Sequence, residues 1–453
     1  MKAINPATNE ILKEYPEHTL QEVKKIINQV QEEFHSWRQV SFVQRASLMK
    51  KAANILRQKK EEFALLITRE MGKVIRESRA EVEKCAWVCD YYAENAEKFL
   101  AKEYVETDAK QSYIAYEPLG IVLAIMPWNF PFWQVFRFAA PALMAGNAGL
   151  LKHASNVPGC ALAIENVFKE AGFPENLFRT LLIKPNLIPN VIQDVHVQAV
   201  TLTGSEPAGA AVASIAGKEI KKTVLELGGS DPFIVLEDAD LDKAISTAVQ
   251  ARMINTGQSC IAAKRFIVVD SVLKTFETTM VEKMSALRPG NPEDENVDVG
   301  PLARPDLVKE LDLQVKKSIE KGAKLLLGGK QISGNGNFYE PTVFTNVKKG
   351  MPVYEEETFG PVAAIIPVQD EDEALAVAND SRFGLGASLW TQDIEKAKVL
   401  AREIRSGSVF INGLVKSDPR LPFGGIKKSG YGRELSYHGI REFVNIKTVW
   451  IGS

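Results

Sequence analysis

Cys260 is the residue of this chain whose sequence setting best suits covalent chemistry. It closes the polar, turn-prone segment Asn255-Thr-Gly-Gln-Ser-Cys260, which follows a predicted helix over Leu241–Met253. A thiol in such a loop can be reached by a substrate, and its thiolate form is a strong nucleophile. The remaining cysteines lie in helical patterns that favour packing: Cys85, Cys89 and Cys160. The local sequence leaves two interpretations of Cys260 open, a catalytic nucleophile and a structural cysteine.

Two polar side chains near predicted strand ends could assist such a nucleophile. Glu226 ends the predicted strand Thr223–Glu226, and strand ends are where α/β folds build their sites. Its carboxylate could be a general base, or it could be held by backbone N–H groups at a domain boundary. Asn129 lies in the apolar turn Met126-Pro-Trp-Asn-Phe-Pro131. A buried amide must be hydrogen-bonded, so Asn129 is either a structural clamp or a donor to a substrate oxygen.

The segment Thr203-Gly-Ser-Glu-Pro-Ala-Gly209 follows another predicted strand and opens a helix. Glycines there let the backbone approach a phosphate, and the helix N-terminus favours negative charge. The P-loop motif is excluded because Ala210 and Ala211 stand where it needs Lys and Ser or Thr. The G-x-G-x-x-G motif does not match either. A nucleotide site and a plain strand-turn-helix both stay open at this point.

The elements around these residues predict an α/β chain with two successive series of strands and helices. The first hundred residues are predicted to be helical, with capping boxes at Thr19–Glu22 and Ser78–Glu81. The Gly228-Gly229 pair is the predicted boundary between the two series. The predicted strands are Ile121–Ile125, Gly149–Lys152, Thr180–Ile183, Ala199–Thr203 and Thr223–Glu226 in the first series, and Phe266–Val269, Lys324–Leu327, Val362–Pro367 and Ser408–Ile411 in the second.

The last predicted strand, Arg441–Ile451, has no helix after it. Paired with Gln111–Ala115, it would form a small protruding sheet. Exposed sheet edges usually find a partner, and we expect another subunit in that role.

Composition narrows the classes of protein further. The chain has 453 residues and a net charge of −2, so binding to nucleic acid or to an acidic membrane, which needs a basic excess, is not expected. No apolar run reaches the roughly 18 residues of a membrane span. The histidines and cysteines show no metal-ligand spacing, so no metal site is expected. Because Met1–Glu10 lacks the apolar core of a secretory signal, we expect a cytoplasmic protein with free cysteines.

Taken jointly, these segments resemble the NAD(P)-dependent aldehyde dehydrogenase superfamily. Seven motifs follow the order of that family over nearly the whole chain: P-W-N-F-P at 127–131, the strand ending in Lys152, T-G-S at 203–205, L-E-L-G-G at 225–229, G-Q-S-C at 257–260, E-E-T-F-G-P at 356–361 and P-F-G-G-I-K-K-S-G at 422–430. The resemblance implies an α/β fold with a Rossmann-type cofactor domain, an α/β catalytic domain and a small β oligomerisation extension. The cofactor domain corresponds to residues 1–99 and 120–227, and the catalytic domain to residues 228–428. The oligomerisation extension corresponds to residues 100–119 and 441–453.

The resemblance also implies catalytic roles. Cys260 would attack an aldehyde carbonyl as a thiolate, and the resulting oxyanion would be held by the Asn129 side chain and the Cys260 backbone N–H. Loss of hydride would leave a thioester, which water activated by Glu226 would hydrolyse. Lys152 and Glu434 would be supporting groups of the proton relay.

For the cofactor, the resemblance places Gly204 and Ser205 against the pyrophosphate. The other residues that it implies are Pro127 and Trp128 near the nicotinamide, and Glu357 on a ribose with Phe359 beside it. Many NAD-preferring members have a glutamate where this chain has Ser155. A serine with Lys152 nearby can accept a 2′-phosphate, whereas that glutamate would repel it. We therefore expect NADP to be preferred and NAD to be the alternative.

Within the superfamily, the motifs are most similar to those of the bacterial succinate-semialdehyde dehydrogenases. Arg137 matches an arginine that binds the substrate carboxylate, and Ser417 would supply a further hydroxyl. Ile254 stands where some members have a second arginine, six residues before the nucleophile. The alternative for Arg137 is a structural role, bridging subunits or capping the sheet.

The expected partner is a small aldehyde, and the expected assembly is a homodimer or homotetramer. Two alternatives stay open for the activity. The first is a broader aliphatic or glutarate-semialdehyde dehydrogenase. The second is a catalytically silent, crystallin-like structural protein, which the joint presence of Cys260, Glu226 and Asn129 disfavours. A coenzyme-A-dependent acyl transfer is disfavoured by Glu226, which is present to activate water.

Overall fold

The computed structural model describes residues 1–452. Its strands are β1 (Lys2–Ile4), β2 (Ile11–Glu14), β3 (Glu103–Tyr104), β4 (Gln111–Pro118), β5 (Ile121–Met126), β6 (Ala148–His153), β7 (Phe178–Thr180), β8 (Val197–Thr203), β9 (Lys222–Glu226), β10 (Pro232–Val235), β11 (Arg265–Val269), β12 (Lys324–Leu327), β13 (Thr342–Thr345), β14 (Val362–Val368), β15 (Gly386–Trp390), β16 (Ser408–Ile411), β17 (Gly430–Tyr431) and β18 (Val444–Ile451). Its α-helices are α1 (Leu20–Trp37), α2 (Phe42–Gln58), α3 (Lys60–Met71), α4 (Ile75–Phe99), α5 (Trp133–Met144), α6 (Pro158–Glu170), α7 (Ile188–Gln193), α8 (Glu206–Lys218), α9 (Leu241–Met253), α10 (Asp270–Ser285), α11 (Pro305–Glu320), α12 (Pro352–Glu355), α13 (Glu371–Asn379), α14 (Ile394–Glu403) and α15 (Ser436–Arg441).

β5 lies inside a six-stranded sheet whose order is β17-β9-β8-β5-β6-β7. All neighbours in this sheet are parallel except β17, which pairs antiparallel with β9. The chain runs outward from β5 through β6 and β7, then returns to the other side of β5 for β8 and β9. This is the strand order of a doubly wound, Rossmann-type sheet, and its switch point lies between the carboxyl ends of β5 and β8.

The second sheet has seven strands in the order β12-β13-β14-β11-β10-β15-β16. It is parallel except for the edge strand β12, which pairs antiparallel with β13. β9 of the first sheet ends at Glu226 and β10 of the second begins at Pro232, so the chain changes sheets across Gly228 and Gly229. The segment that carries Cys260 connects α9 to β11 and therefore belongs to this second half of the molecule.

The first four helices form a layer that packs on the first sheet and on α5. α1 begins with the predicted capping box, in which Thr19 accepts the backbone N–H of Glu22 and the Glu22 carboxylate accepts that of Thr19. Its buried apolar residues recur at helical spacing, as the sequence pattern predicts: Val23, Ile26, Ile27 and Val30. Within residues 1–452, no helix is both long enough and apolar enough to cross a membrane.

The predicted capping box at Ser78 is wrong. α4 begins at Ile75, so Ser78 lies inside the helix rather than at its start. Its hydroxyl is buried 2.9 Å from the hydroxyl of Thr68, and the Glu81 carboxylate forms a buried ion pair with Lys73. The S-x-x-E spacing also occurs inside helices, where the same side chains can reach neighbouring elements instead of the helix's own first turn.

Within the two large sheets, the predicted strands agree with the observed bounds to within one or two residues, except for β7. It covers Phe178–Thr180, whereas the sequence pattern predicts Thr180–Ile183. The sequence pattern does not predict three strands of the second sheet: β10, β13 and β15. Each is four or five residues long and buried throughout. A short strand buried on both faces lacks the alternation of polar and apolar residues that identifies a strand.

A three-stranded sheet of order β18-β4-β3 stands apart from the two large sheets. β18 pairs antiparallel with β4 over eight residues, from Val444 opposite Pro118 to Ile451 opposite Gln111. The predicted pairing of these two segments is therefore confirmed, although the strand begins at Val444 and Arg441 is the last residue of α15. β18 is an edge strand, and Trp450 on it is 55% exposed.

Candidate active site

The switch point of the first sheet opens into a cleft of about 520 Å³. Eight residues predicted from the sequence line this cleft together: Pro127, Trp128, Asn129, Gly204, Ser205, Cys260, Glu357 and Phe359. The other predicted residues lie outside its lining: Arg137, Lys152, Ser155, Glu226, Ser417 and Glu434. The fold thus brings the thiol of the second half and the amide of the first half to one cavity.

His153 holds the turn between β5 and α5 in which Asn129 lies. The Nε2 of His153 is 2.8 Å from the Pro131 carbonyl oxygen, and its Nδ1 accepts the Ala154 N–H at 2.9 Å. Burial lowers the pKa of His153 to about 4, so the ring is neutral and donates from Nε2. The end of β6 is therefore tied to the turn after β5 by one side chain.

Glu81 on α4 holds the other end of the same turn. Its carboxylate accepts the backbone N–H groups of Phe132 and Trp133 at 2.8 and 3.0 Å. These are orphan donors at the start of α5, and a carboxylate there also interacts favourably with the helix dipole. Lys73 pairs with Glu81, and its ammonium lies 3.7 Å from the centre of the Phe130 ring.

The segment that leads to Cys260 has an unusual backbone. Asn255, Thr256 and Gly257 follow one another in the left-handed region, with φ of 52°, 57° and 75°. This conformation is rare for a β-branched residue such as Thr256 and costs of order 1–3 kcal/mol unless the surroundings enforce it. At position 257 only glycine fits, because a Cβ there would collide with the Gly360 carbonyl oxygen.

Side chains and backbone groups from outside the segment enforce this conformation. The backbone N–H of Asn255, the hydroxyl of Thr256 and the backbone carbonyl of Gly257 each form one hydrogen bond of this kind. The bonds are Asn255 N–H to Glu77 Oε2 at 2.8 Å, Gly300 N–H to Thr256 Oγ1 at 3.0 Å, and Arg252 Nη2 to the Gly257 carbonyl at 2.6 Å. The position of Cys260 therefore depends on α4, on α9 and on the chain near residue 300.

Lys264 fixes the segment on the far side of Cys260. Its buried ammonium donates to the carbonyl oxygens of Ser259, Cys260 and Ala262 at 3.0, 2.8 and 3.1 Å. Burial raises the pKa of the Cys260 thiol to about 12, although the charges of Arg137 and Lys264 oppose that shift. The thiol is consequently protonated at neutral pH, and it must lose its proton before it can act as a nucleophile.

Asn129 joins the two walls of the cleft. Its side-chain Nδ2 donates to the backbone carbonyl of Gln258 at 3.1 Å, and its backbone carbonyl accepts Nδ2 of Asn255 at 2.7 Å. Within residues 1–452, the second amide hydrogen of Asn129 and the backbone N–H of Cys260 have no acceptor. Two donors on residues that line the cleft next to the thiol are what an oxyanion hole needs.

Glu226, Glu434 and Arg137 form a buried charged cluster that does not line the cleft. The Arg137 guanidinium pairs with the Glu434 carboxylate and lies 4.7 Å from the centre of the Phe423 ring. Glu226 faces Gly424, where an added Cβ would lie 2.7 Å from its Oε1. Burial, followed by the charge of Glu434, raises the pKa of Glu226 well above its usual range. The resting arrangement therefore disfavours the charged form of the Glu226 carboxyl.

The first turn of α8 offers an anion site at the cleft. Ser205 is the N-cap of α8, is exposed and makes no capping hydrogen bond. Uncapped N–H groups at a helix N-terminus favour a bound phosphate. Gly209 brings α8 close to the chain that follows β9, because an added Cβ would lie 2.6 Å from Leu227. This arrangement fits the pyrophosphate of a dinucleotide.

Glu357 and Phe359 line the opposite side of the cleft. The backbone N–H of Gly229 donates to Oε1 of Glu357 at 2.9 Å, and Lys264 lies 3.8 Å from the same oxygen. Oε2 of Glu357 receives no hydrogen bond within residues 1–452, so it can accept one from a ligand hydroxyl. The Phe359 and Trp128 rings meet edge to face at 5.9 Å. Two aromatic rings and a carboxylate fit a nicotinamide and its ribose.

Three further predicted residues lie outside the lining of the cleft. Lys152 on β6 is largely buried, its pKa is lowered by that burial, and no carboxylate within residues 1–452 pairs with it. Ser155, just after β6, is exposed. The Ser417 Oγ accepts Lys84 Nζ at 2.8 Å and Trp133 Nε1 at 3.1 Å, which leaves its own hydrogen free to donate.

Sequence reasoning missed the residues that position the site rather than form it. Three residues on one face of α4 each contact a different part of the site. Glu77 contacts Asn255, Glu81 contacts the start of α5, and Lys84 contacts Ser417. Their spacing of four and three residues in the printed sequence predicts a shared helix face. Nothing in that spacing indicates which distant segments the face would meet. Lys264, four residues after Cys260, likewise carries no local sign of its three carbonyl contacts.

One known family matches almost the whole chain. The model of the aldehyde dehydrogenase family matches residues 1–449, and the chain belongs to that family. Its members are oxidoreductases that act on aldehydes, which is the chemistry that a thiol beside an oxyanion hole and a dinucleotide cleft can perform.

Individual relatives narrow the comparison. The chain is 57% identical over 448 residues to the probable succinate-semialdehyde dehydrogenase [NADP(+)] of Synechocystis sp., covering 99% of both chains. It is 52% identical over 451 residues to succinate-semialdehyde dehydrogenase [NADP(+)] 1 of Mycobacterium bovis, again covering 99% of both. Among solved structures, it resembles succinic semialdehyde dehydrogenase from Streptococcus pyogenes in complex with NADP+. That structure superposes with a TM-score of 0.98 at 39% identity, over 100% of both chains.

Proposed function

We propose that this protein oxidises succinate semialdehyde to succinate with NADP+ as electron acceptor. The observation that carries the proposal is the Cys260 thiol in the wall of a dinucleotide-sized cleft, next to two N–H donors without acceptors. The relatives named above, at 52% and 57% identity over 99% of the chain, support the choice of substrate and cofactor.

The chain's own residues suit a covalent route. Deprotonated Cys260 adds to the aldehyde carbon and forms a thiohemiacetal, whose negative oxygen is held by N–H groups of Asn129 and Cys260. Loss of hydride from that carbon leaves a thioester on the sulfur. Bound NADP+ supplies the acceptor for this hydride. Attack by water on the thioester then releases succinate and restores the thiol.

Glu226 is the proposed base for that water. A general base must be ionised and must reach the water, whereas Glu226 faces Gly424 in a setting that raises its pKa. We infer that its side chain turns from Gly424 towards Cys260 during the cycle. Glu434, whose charge helps to raise the pKa of Glu226, and Lys152 are the proposed supporting groups of the proton relay.

The cofactor proposal rests on both sides of the cleft. Gly204 and Ser205 hold the pyrophosphate at α8, while Pro127, Trp128, Glu357 and Phe359 contact the nicotinamide and its ribose. Residues 1–99 and 120–227 then form the cofactor-binding domain and 228–428 the catalytic domain. The exposed Ser155 hydroxyl and the unpaired Lys152 ammonium receive the 2′-phosphate that distinguishes NADP from NAD.

The substrate carboxylate needs donors at the far end of a four-carbon chain. Ser417 has a free hydroxyl hydrogen, and Arg137 supplies positive charge close enough to affect the Cys260 thiol. Both are proposed substrate-binding residues. Arg137 would attract the substrate carboxylate while it remains paired with Glu434.

The same proposal includes an assembly and a compartment. β18 presents an unpaired edge with Ile446 and Trp450 exposed, which supports pairing with a second subunit in a homodimer or homotetramer. The strands involved are those of segments 100–119 and 441–453. All four cysteines are free, which supports a reducing compartment, the cytoplasm.

Steady-state kinetics with a panel of aldehydes tests the proposal. The purified protein is given succinate semialdehyde, glutarate semialdehyde and butanal, each with NADP+ and with NAD+, in the presence and absence of coenzyme A. We expect the highest kcat/KM for succinate semialdehyde with NADP+, unaffected by coenzyme A. Equal kcat/KM for butanal would indicate a broad aliphatic enzyme, a preference for NAD+ would contradict the cofactor assignment, and no turnover at all would leave a structural protein.

A further inference from the structure

The ion pair of Arg137 raises a question about how the substrate carboxylate is bound. Arg137 is only 2% exposed, and its guanidinium already pairs with Glu434. Position 254, where a second arginine would stand, is Ile254. An anionic substrate therefore meets no unpaired arginine at either position, although burying its carboxylate without a cation would be costly.

Lys84 supplies an unpaired cation in this region. Its Nζ lies 2.8 Å from the Ser417 Oγ and 4.3 Å from the centre of the Trp133 ring. Within residues 1–452, no carboxylate lies within 4.0 Å of this ammonium. The nearby acidic groups on its own helix and on the chain near Ser417 are already paired: Glu81 with Lys73, and Asp418 with Arg420.

The position of Lys84 follows from the course of α4 along the site. Glu77 contacts Asn255 in the segment that leads to Cys260, and Glu81 contacts the start of α5. Lys84 is three residues further along the same face, about 4.5 Å of helix rise beyond Glu81. Trp133, which Lys84 overlies, is one helical turn before Arg137 on α5. The charge of Arg137 lowers the pKa of Lys84 and also lowers that of the Cys260 thiol, so Arg137 lies within electrostatic reach of each of these two groups.

We propose that Lys84 is a substrate-binding residue whose ammonium, together with the Ser417 hydroxyl, binds the carboxylate of the semialdehyde. In this arrangement Ser417 accepts from Lys84 and donates its free hydrogen to the same carboxylate. The Trp133 ring shields the ion pair from water, which strengthens it. The proposal rests on the proposed oxidation of a carboxylated aldehyde and adds the residue that selects it.

The charge of Lys84 is sensitive to pH. Burial lowers the pKa of Lys84 to about 8, assisted by the positive charge of Arg137 and opposed by Cys85, Glu81 and Asp418. The cation is present below that pKa and is lost as the pH rises through it. A carboxylate bound by Lys84 is therefore held more weakly at pH 9 than at pH 7, whereas an uncharged aldehyde is not affected in this way.

Replacing the lysine separates a substrate contact from a structural role. In Lys84→Met we expect KM for succinate semialdehyde to rise about 10- to 100-fold, the range for losing a charged hydrogen bond, with kcat changed far less. KM for butanal, which has the same chain length and no carboxylate, should change less than about threefold. Lys98→Met, the same substitution at an exposed position of α4, is the matched control and should leave both values unchanged.

The conservative variant and the pH profile complete the test. Lys84→Arg keeps a cation that does not titrate, so it should retain the preference for succinate semialdehyde and flatten the rise of its KM between pH 7 and 9. Equal loss on both aldehydes in Lys84→Met would overturn the proposal and assign Lys84 to anchoring the chain near Ser417. If that variant does not fold, a wild-type KM for succinate semialdehyde that stays constant from pH 7 to 9, relative to butanal, overturns it equally. A wild type that does not prefer succinate semialdehyde to butanal refutes the proposed function itself, whatever the variants do.

Discussion

The two walls of the cleft reach their shapes by different means. The turn over residues 127–132 has no residue with positive φ, and its two prolines and the flanking β5 and α5 largely define its course. The segment over residues 255–260 begins with three consecutive left-handed residues that are held from outside. Both walls have tertiary partners, since His153 and Glu81 tie the two ends of the turn that carries Asn129. The difference is that this turn needs no strained backbone, whereas the wall that carries Cys260 keeps its left-handed residues only through contacts with distant parts of the chain.

This difference indicates how each wall should respond to mutation. Changing a reacting group on either wall should remove chemistry without changing the fold. Changing a supporting side chain should matter more on the nucleophile wall, because a backbone conformation that costs of order 1–3 kcal/mol per residue persists only while its partners are present.

The largest effect is expected from Cys260→Ala. Without the sulfur no thiohemiacetal forms, so reduction of NADP+ by succinate semialdehyde should fall by at least about 10⁴-fold. The measurement is the rate of cofactor absorbance change, with circular dichroism to establish folding. Cys89→Ala, which removes a buried sulfur from α4 away from the cleft, should retain activity. A folded Cys260→Ala protein with parental turnover would refute covalent catalysis at this position.

Asn129→Ala tests the opposite wall of the cleft and is expected to cause the next largest loss of activity. Removing one oxyanion donor typically lowers kcat by about 100- to 1,000-fold, and we expect that range here with KM little changed. Asn166→Ala, an exposed asparagine on α6, is the control and should have no effect. If Asn129→Ala raised KM and left kcat intact, the amide would be a binding contact or a structural clamp rather than a stabiliser of developing charge.

The third prediction concerns the protonation state of Cys260. It is measured as the rate at which iodoacetamide alkylates this thiol at different pH values. Only the thiolate is alkylated. Because burial raises the pKa of Cys260 to about 12, the thiolate fraction should rise about tenfold per pH unit, or about 100-fold between pH 7 and 9. Mass spectrometry of the peptide carrying Cys260 follows the reaction in the protein without cofactor. A rate that levels off below pH 8 would show that the thiol is already activated in the resting protein.

The sequence predicts the wall that carries Asn129 better than the wall that carries Cys260, for physical reasons. Motif order places Cys260, Asn129 and Glu226 in one family site, and strand patterns locate β5, β8 and β9 well. The pairing of Arg137 with Glu434, the contact of Lys84 with Ser417 and the three carbonyl contacts of Lys264 are tertiary. They depend on which helix faces which loop, and a local pattern does not contain that information.

The failed capping box at Ser78 has the same cause. Both Ser78 and Glu81 have the right types and spacing, but tertiary partners, Thr68 for the hydroxyl and Lys73 for the carboxylate, compete for them. A capping pattern is reliable where the helix start is exposed, as at Thr19, and fails where the same residues are buried against another element.

Glu77 provides the mildest and most selective test of the nucleophile wall. Its Oε2 accepts the Asn255 N–H at 2.8 Å, and a carboxamide oxygen can do the same, so Glu77→Gln should change kcat less than about threefold. Glu77→Ala leaves that N–H without a partner, which costs about 1–3 kcal/mol. If the cost appears as displacement of the left-handed segment, kcat should fall about tenfold while KM for NADP+ stays constant, as steady-state kinetics on both variants would measure. An equal loss of kcat in the two variants would mean that the carboxylate charge, rather than the hydrogen bond, supports Asn255. The contrast between the two walls would then rest on electrostatics instead of backbone geometry.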